Sequence, residues 1–448
     1  MASRLIAGAV GWTASVFYRV EVIGNPIPDG PVLVTANHFN ALLDPLLIFR
    51  SAGRVARPMA KAPLFEQVFV GSMLRALGGL PVYRRQDDPA LMHRNDETFR
   101  RAIDALHNGD AVQIFPEGRS HSEPGLVPLR TGAARIALQA EAQRDWQLGL
   151  RIVPIGINYR RKSFFRGDAL VVLGEPYPID EYRATYTNDP QEAVRELTDR
   201  IGSELHAVVL TLSEREDQEL VDVADRIYAH ARGIAGPRER EPLAERMPRL
   251  RRFAEGLAWL RSSDPQHYAK LADDVRSYAR VANLLGAREG DVPARYTVAG
   301  VLRYLLAQLP LLLLGIPLAA IGSVLWYLPY LAPKLVLRIV KPDFESIATY
   351  KLAGGMFAFP LMLAVWIAIA ALLGGLRAAV VMLVIAPLLG FVALAWREHW
   401  DRIREDARLF FAVLRHPRST HDLARLRNQL AAEFDALALR METPAQVG

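Results

Sequence analysis

Residues Val32–Asp44 read VLVTANHFNALLD, and this stretch decides the fold. Val32, Leu33 and Val34 form a short apolar run between the Asp29-Gly30-Pro31 turn and Asn37-His38, the pattern of a buried parallel strand. His38 then falls at the strand's C-terminal end. In open α/β sheets ligands bind in the crevice beyond those ends, so this imidazole stands where chemistry is done. Asp44-Pro45 opens the next helix, and Asp44 reads either as its N-cap or as a carboxylate turned to His38.

Beyond this stretch the chain alternates helix and strand up to about Pro176. Asp87–Asn108 carries Leu91, Phe99, Ile103 and Leu106 at helical spacing and stops at Asn108-Gly109. Ala111–Phe115 is the next strand, Leu129–Ala142 a helix, and Ile152–Ile157 a further strand. That order predicts an α/β fold, a mainly parallel sheet flanked by helices on both faces. Three more segments fall at its loops. Gly78-Gly79-Leu80-Pro81-Val82-Tyr83-Arg84-Arg85 sets guanidinium groups after a short apolar run, suited to phosphate oxygens or simply solvated. Phe115-Pro116-Glu117-Gly118-Arg119-Ser120 follows a strand directly, and Val153-Pro154-Ile155-Gly156 is expected to end the next one in a rigid apolar corner.

In this order and spacing the four blocks resemble the glycerophospholipid acyltransferase superfamily, which includes lysophosphatidate and glycerol-3-phosphate acyltransferases. The resemblance runs from Pro31 to Pro176: Asn37-His38 with Asp44, Gly79 with Arg84, Phe115 to Ser120, and Val153-Pro154-Ile155. Lys61 in Ala60-Lys61-Ala62-Pro63 also looks like a recurrent family lysine, and Gly174-Glu175-Pro176 resembles the closing strand. Phe39-Asn40-Ala41-Leu42-Leu43 separates His38 from Asp44, one residue more than the commonest family spacing. With Leu80-Pro81-Val82 and Ser120-His121, the longer spacing is similar to the fungal-type glycerol-3-phosphate and dihydroxyacetone-phosphate branch.

The resemblance implies acyl transfer from acyl-CoA or acyl-carrier protein to a glycerol-phosphate or lysophospholipid hydroxyl. A hydroxyl is a weak nucleophile at neutral pH, so His38 is the expected general base and Asp44 its orienter. Arg84, Arg119 and Lys61 are expected at the acceptor phosphate, with Gly118 in the same binding loop. Glu117 either bonds the acceptor's free hydroxyl, orders the arginines, or is a structural ion pair. No Gly-x-Ser-x-Gly elbow supplies an acyl-enzyme. No metal or cofactor is expected, because the thioester is a substrate. Two other readings stay open: a CoA-independent phospholipid transacylase, and a non-catalytic lipid-binding membrane adaptor.

The chain has 448 residues, room for more than one domain. Hydrophobic residues make up 51%, concentrated in uncharged runs at Tyr304–Pro333, Leu352–Leu376 and Ala378–Trp396, which predict membrane helices of ~20 residues each. Net charge is +6, which with those runs favours anionic lipid or substrate over nucleic acid, and the basic residues are not interleaved with stacking aromatics. The absence of cysteine excludes a thiol nucleophile, disulfides and Cys-ligated zinc.

Residues 1–28 hold an apolar helix too short to span, read as interfacial; a signal peptide or a helix packed on the catalytic domain are the alternatives. Residues 29–212 form the acyltransferase α/β domain and 213–300 a helical domain. The membrane domain covers 301–396 and C-terminal amphipathic helices 397–448. Pro310, Gly315 and Pro317 are expected to break the first run into a re-entrant hairpin, leaving two full spans joined at Gly374-Gly375. Lys334, Arg338, Lys341 and Lys351 after the first run, and Arg397, Arg402 and Arg404 after the third, put the catalytic domain on the cytoplasmic side of a bacterial inner membrane or its equivalent.

Overall fold

The computed structural model describes residues 2–84, 89–212, 214–234, 241–284 and 298–442, so Arg85 and the start of the expected Asp87–Asn108 helix lie outside the described residues. The chain divides into two compact units. The first comprises Met1–Thr211 with Pro242–Met247 and Pro342–Thr349; the second comprises the remainder.

Unit 1 runs α1 (Ala2–Phe17), β1 (Tyr18–Ile23), β2 (Val32–Ala36), α2 (Leu43–Ser51), β3 (Ala56–Lys61), α3 (Val68–Ala76), β4 (Leu80–Val82), α4 (Asn95–His107) and β5 (Ala111–Ile114). It continues with α5 (Gly132–Ala142), β6 (Arg151–Arg160), β7 (Gly167–Leu173), β8 (Tyr177–Pro178), α6 (Arg183–Asn188) and α7 (Pro190–Val208). The sheet order is β1-β7-β6-β2-β5-β3-β4, with β8 on β6. β6, β2, β5, β3 and β4 run parallel; β7 is antiparallel to β6 and carries β1 parallel to itself. The mainly parallel sheet is therefore present. Every residue of β2 is buried, as its unbroken apolar run requires for a strand covered on both faces.

One expected end is displaced. β6 does not stop at Gly156 but continues to Arg160, because Asn37, just past β2, clasps it: Asn37 Nδ2 donates to Ile157 O (3.0 Å) and Ile157 N donates to Asn37 Oδ1 (2.7 Å). The missing N–H of Pro154 falls, with its carbonyl, on the side of β6 away from β2, where the carbonyl accepts Gly174 N–H (2.8 Å) as the chain passes from β7 to β8, so the β2 ladder is not interrupted. Gly156 admits α7 directly against the strand, since a Cβ there would stand 2.0 Å from Val208 O. Gly156→Ala is expected to lower stability by about 3 kcal/mol or more, because backbone must move to relieve the clash. Chemical unfolding of the purified variant checks it, and a change below about 1 kcal/mol would show that α7 is loosely held.

α1 packs one face on α2: Ala14 is fully buried, and a Cβ on Gly11 would lie 3.0 Å from Arg50 N. Trp12 on the same helix is 60% exposed.

Unit 2 contains α8 (Arg215–Ala231), most of α9 (Leu243–Ser263), α10 (Pro265–Leu284), α11 (Val298–Leu325), α12 (Tyr327–Val340), most of α13 (Ile347–Arg415) and α14 (Pro417–Glu442). Leu220, Val223, Ile227, Leu250, Leu257 and Leu260 recur at helical spacing and are buried, with Phe253 half-buried beside them. α14 joins α8 and α10 in one bundle, with His267 Nε2 to Glu433 (2.7 Å) and Tyr228 to Asp435 (2.9 Å). The C-terminal helix thus shares a core with the helical region instead of standing apart.

Among the described residues, two helices are long and apolar enough to cross a membrane, Leu302–Leu325 and Phe344–Arg415. The second is divided at Gly375 (φ 70°, ψ −167°), a conformation natural only to glycine, at the Gly374-Gly375 turn read from the sequence. The expected break around Pro310 and Pro317 is corrected: α11 runs through both prolines, and the chain leaves the helix only at Trp326. A helix-interior proline removes one N–H from the ladder, which bends a helix without ending it when neighbours supply the contacts.

Candidate active site

The four motif blocks meet along one edge of the unit 1 sheet because β2, β5, β3 and β4 are parallel and each releases its loop at the same end. His38 follows β2, Glu117, Gly118 and Arg119 follow β5, Lys61 ends β3, and Arg84 follows β4. At ~4.8 Å per strand, Lys61 is about 10 Å and Arg84 about 14 Å along that edge from His38. Arg119 and Lys61 are exposed and Arg84 is half-buried, so cationic side chains border an open edge.

His38 Nδ1 lies 2.8 Å from Asp44 Oδ2. The imidazole is 18% exposed and stacks on Phe115 at 4.0 Å, whereas the Asp44 carboxylate is fully buried. Asp44 is not the N-cap of α2; it sits in the first turn with its side chain turned back to the loop. Its Oδ2 also accepts Asn40 N–H (2.7 Å), and its Oδ1 accepts the Tyr159 hydroxyl (2.5 Å). Three donors thus converge on one buried carboxylate and replace the water it has lost. The extra residue between His38 and Asp44 is absorbed by Ala41 at φ 34° and by the turn bond from Leu43 N to Asn40 O (2.9 Å), so the pair still meets.

Tyr159, Tyr18 and Asn40 back this pair. Asn40 Nδ2 donates to Tyr18 Oη (2.7 Å), and Tyr18 donates to Lys162 O. Burial, then the Asp44 charge, hold the Tyr159 phenol far above its ordinary range, so it remains a donor. The sequence reading missed Tyr159 and Tyr18; the only local signal was a polar-tipped aromatic ending each apolar run.

Glu117 braces the loop that carries His38. Its side chain is fully buried, Oε1 accepts His38 N–H (3.2 Å), and Oε2 meets His121 Nε2. Glu123 N–H points at His121 Nδ1 (3.2 Å), so that nitrogen accepts and the ring proton sits on Nε2, directed at Glu117. His121 N donates in turn to His38 O (3.0 Å). Burial pushes the Glu117 carboxyl up, opposed by the His38 N–H, while burial and then the Arg119 charge push His121 down to about 4. Gly118 makes the turn possible at φ 73°.

A histidine whose folded pKa is depressed contributes stability above its unfolded value of 6.5 that is lost as pH falls through about 4. The thermal midpoint is therefore expected to fall more steeply between pH 6.5 and 4 in the parent protein than in His121→Gln. Parallel slopes in calorimetry would show that His121 titrates alike in both states.

Residues 19–158 match the family model described as Acyltransferase. The chain is similar to glycerol-3-phosphate O-acyltransferase 2 of Saccharomyces cerevisiae, 36% identical over 135 residues that cover 30% of this chain and 18% of the relative. It is also similar to glycerol-3-phosphate O-acyltransferase 1 of the same yeast, at 32% over 183 residues (40% and 23%). With 1-acyl-sn-glycerol-3-phosphate acyltransferase of Bacillus subtilis it shares 29% over 154 residues, covering 32% and 69%. The matches thus span less than a quarter of the two yeast relatives. The crystal structure of the 1-acyl-sn-glycerophosphate (LPA) acyltransferase from Thermotoga maritima aligns with 46% of this chain and 79% of that chain, at 20% identity and a TM-score of 0.36. The superfamily and fungal-type resemblance read from the motifs is borne out by the family match and the yeast relatives.

Proposed function

We propose that this chain, which carries an acyltransferase domain over residues 19–158, is a membrane-bound O-acyltransferase that esterifies a glycerol-phosphate hydroxyl from a thioester donor. The observation that carries the reading is the His38 Nδ1 to Asp44 Oδ2 bond of 2.8 Å at a strand-end edge bordered by Lys61, Arg84 and Arg119. With Nδ1 turned to Asp44, His38 Nε2 faces the acceptor. It takes the hydroxyl proton as the oxygen attacks the thioester carbonyl, the new C–O bond forms, and collapse breaks the C–S bond. The leaving thiolate receives the proton back from His38. Asp44 stabilises the transient imidazolium. Arg119, Arg84 and Lys61 hold the acceptor phosphate, and Gly118 lets the Arg119 loop turn tightly. Glu117, with both oxygens engaged, acts by fixing His38 and not by touching the acceptor.

The yeast relatives support glycerol-3-phosphate as acceptor, and the Bacillus subtilis relative supports its 1-acyl form. Purified protein, given labelled acyl-CoA or acyl-carrier protein and each acceptor in turn, should transfer label to one acceptor class. Transfer to neither acceptor from either donor would refute the reading.

The catalytic unit is proposed to face the cytoplasm, with Gly375 on the opposite side, as the flanking lysines and arginines favour. Because the chain has no cysteine, Ser346→Cys and Gly375→Cys provide unique thiols. Only the latter should react with an impermeant reagent on intact cells; labelling at Ser346 would reverse the topology.

A further inference from the structure

β6 and β7 form an antiparallel hairpin whose tip reads Arg160-Arg161-Lys162-Ser163-Phe164-Phe165-Arg166. The tip is a folded turn: Phe164 N donates to Arg161 O (3.0 Å), Gly167 N to Phe164 O (3.1 Å), and Arg166 N to Phe17 O (2.6 Å). Arg161 and Arg166 both take left-handed φ values, 63° and 60°. This backbone leaves two adjacent phenylalanines outside, Phe164 at 58% and Phe165 at 46% exposure. The Arg161 guanidinium lies 5.8 Å from the Phe164 ring centre, and Phe165 is edge-on to Phe17. Neighbouring exposed aromatics set among arginines are not what a face in plain water selects; they match a layer that is apolar below and anionic above.

The inner side of the tip is tied to the active-site loop. Lys162 Nζ donates to Phe39 O (2.9 Å) and Ser122 Oγ (2.7 Å), and Lys162 O accepts from Asn40 Nδ2 (3.4 Å) and Tyr18. Phe344 places its ring 5.0 Å from Lys162 Nζ, and Glu345 accepts the Ser122 hydroxyl (2.7 Å). Phe344 and Glu345 belong to the short 3₁₀ turn that leads directly into α13, a helix apolar enough to cross a membrane. The chain therefore enters an apolar helix from residues in contact with this tip.

We propose that the β6–β7 tip is a docking element for the headgroup layer of an anionic phospholipid bilayer, with Phe164 and Phe165 inserted at the acyl boundary and Arg161 on headgroup phosphates. Charge complementarity and the route into α13 select a bilayer over other partners. Docking there also brings the His38 loop, tied to the tip through Lys162, close to the bilayer surface. The inference concerns location and does not depend on the acyl-transfer reading.

The absence of cysteine permits a direct test. The full chain carrying Phe164→Cys, or Gln147→Cys before β6 at the opposite sheet edge, is labelled with an environment-sensitive fluorophore. Each protein is reconstituted in phosphatidylcholine–phosphatidylglycerol vesicles containing a shallow spin-labelled lipid. Quenching at position 164 should exceed that at 147 by roughly threefold or more, and Arg161→Glu should reduce it. Equal quenching at the two positions would overturn the proposal. Protection of the 164 probe that follows protein-to-lipid ratio and not lipid charge would also overturn it, marking contact with a second copy.

Discussion

Replacing His38 by alanine is expected to lower acyl transfer by about 10²–10⁴-fold, the usual contribution of a positioned general base. The fold should survive. The imidazole is partly exposed, its loop is held by the backbone bonds of His38 to Glu117 and His121, and neither bond uses the side chain that is removed. Activity on labelled acyl-CoA, measured beside a thermal unfolding curve, separates the two effects. A variant that kept more than roughly a tenth of the parent rate would exclude His38 as the base.

Asp44 should separate stability from catalysis in a way His38 does not. Asp44→Ala deprives His38 Nδ1, Asn40 N–H and the Tyr159 hydroxyl of their common acceptor in a buried pocket. Each stranded donor costs about 1–3 kcal/mol, so the variant is expected to lose several kcal/mol and accumulate poorly. Asp44→Asn behaves differently. Its amide oxygen continues to accept from His38 and Asn40, and its NH₂ turns to Tyr159, whose hydroxyl can reverse and accept. The fold is retained, yet the imidazolium formed during the reaction no longer has a carboxylate beside it, and activity is expected to fall by about 10²-fold or more. Tyr159→Phe combined with Asp44→Asn would then strand the NH₂ and restore the stability loss. If Asp44→Asn proved as unstable as Asp44→Ala, the charge itself, and not the hydrogen bonds, would be what holds the loop.

The bracing role of Glu117 explains why a carboxylate stands in a loop that otherwise gathers cations. In the proposed mechanism His38 presents Nε2 to the edge while Nδ1 stays on Asp44. Fixing the His38 backbone from Glu117 and His121 prevents the loop from rotating the ring away. Rigid support of this kind keeps reacting groups aligned without a cost at each turnover.

What the sequence determined by itself was local. Apolar runs bounded by Gly, Pro and Asn mark strands, and a residue's place relative to a strand end is set by its immediate neighbours, so His38, Glu117 and Arg119 could be put in one crevice, with Arg84 after a further short apolar run, before any contact was known; Lys61 joined them only through the family resemblance. The long uncharged runs were equally legible, since twenty apolar residues carry their own signature. The tertiary structure alone decided the rest. Tyr159 reaches Asp44 across 115 residues and Lys162 reaches Phe39 across 123, and no periodicity in the chain announces either meeting. Whether the added residue before Asp44 broke the pair depended on Ala41 accepting φ 34°, a strain that only surrounding packing can hold. Pro342–Thr349 lies between membrane-type helices in sequence yet belongs to unit 1, because Phe344, Glu345 and Thr349 find their partners on Lys162, Ser122 and Leu42. Contacts between distant segments arise only when the whole sheet is assembled, and so they cannot be read from any one stretch of chain.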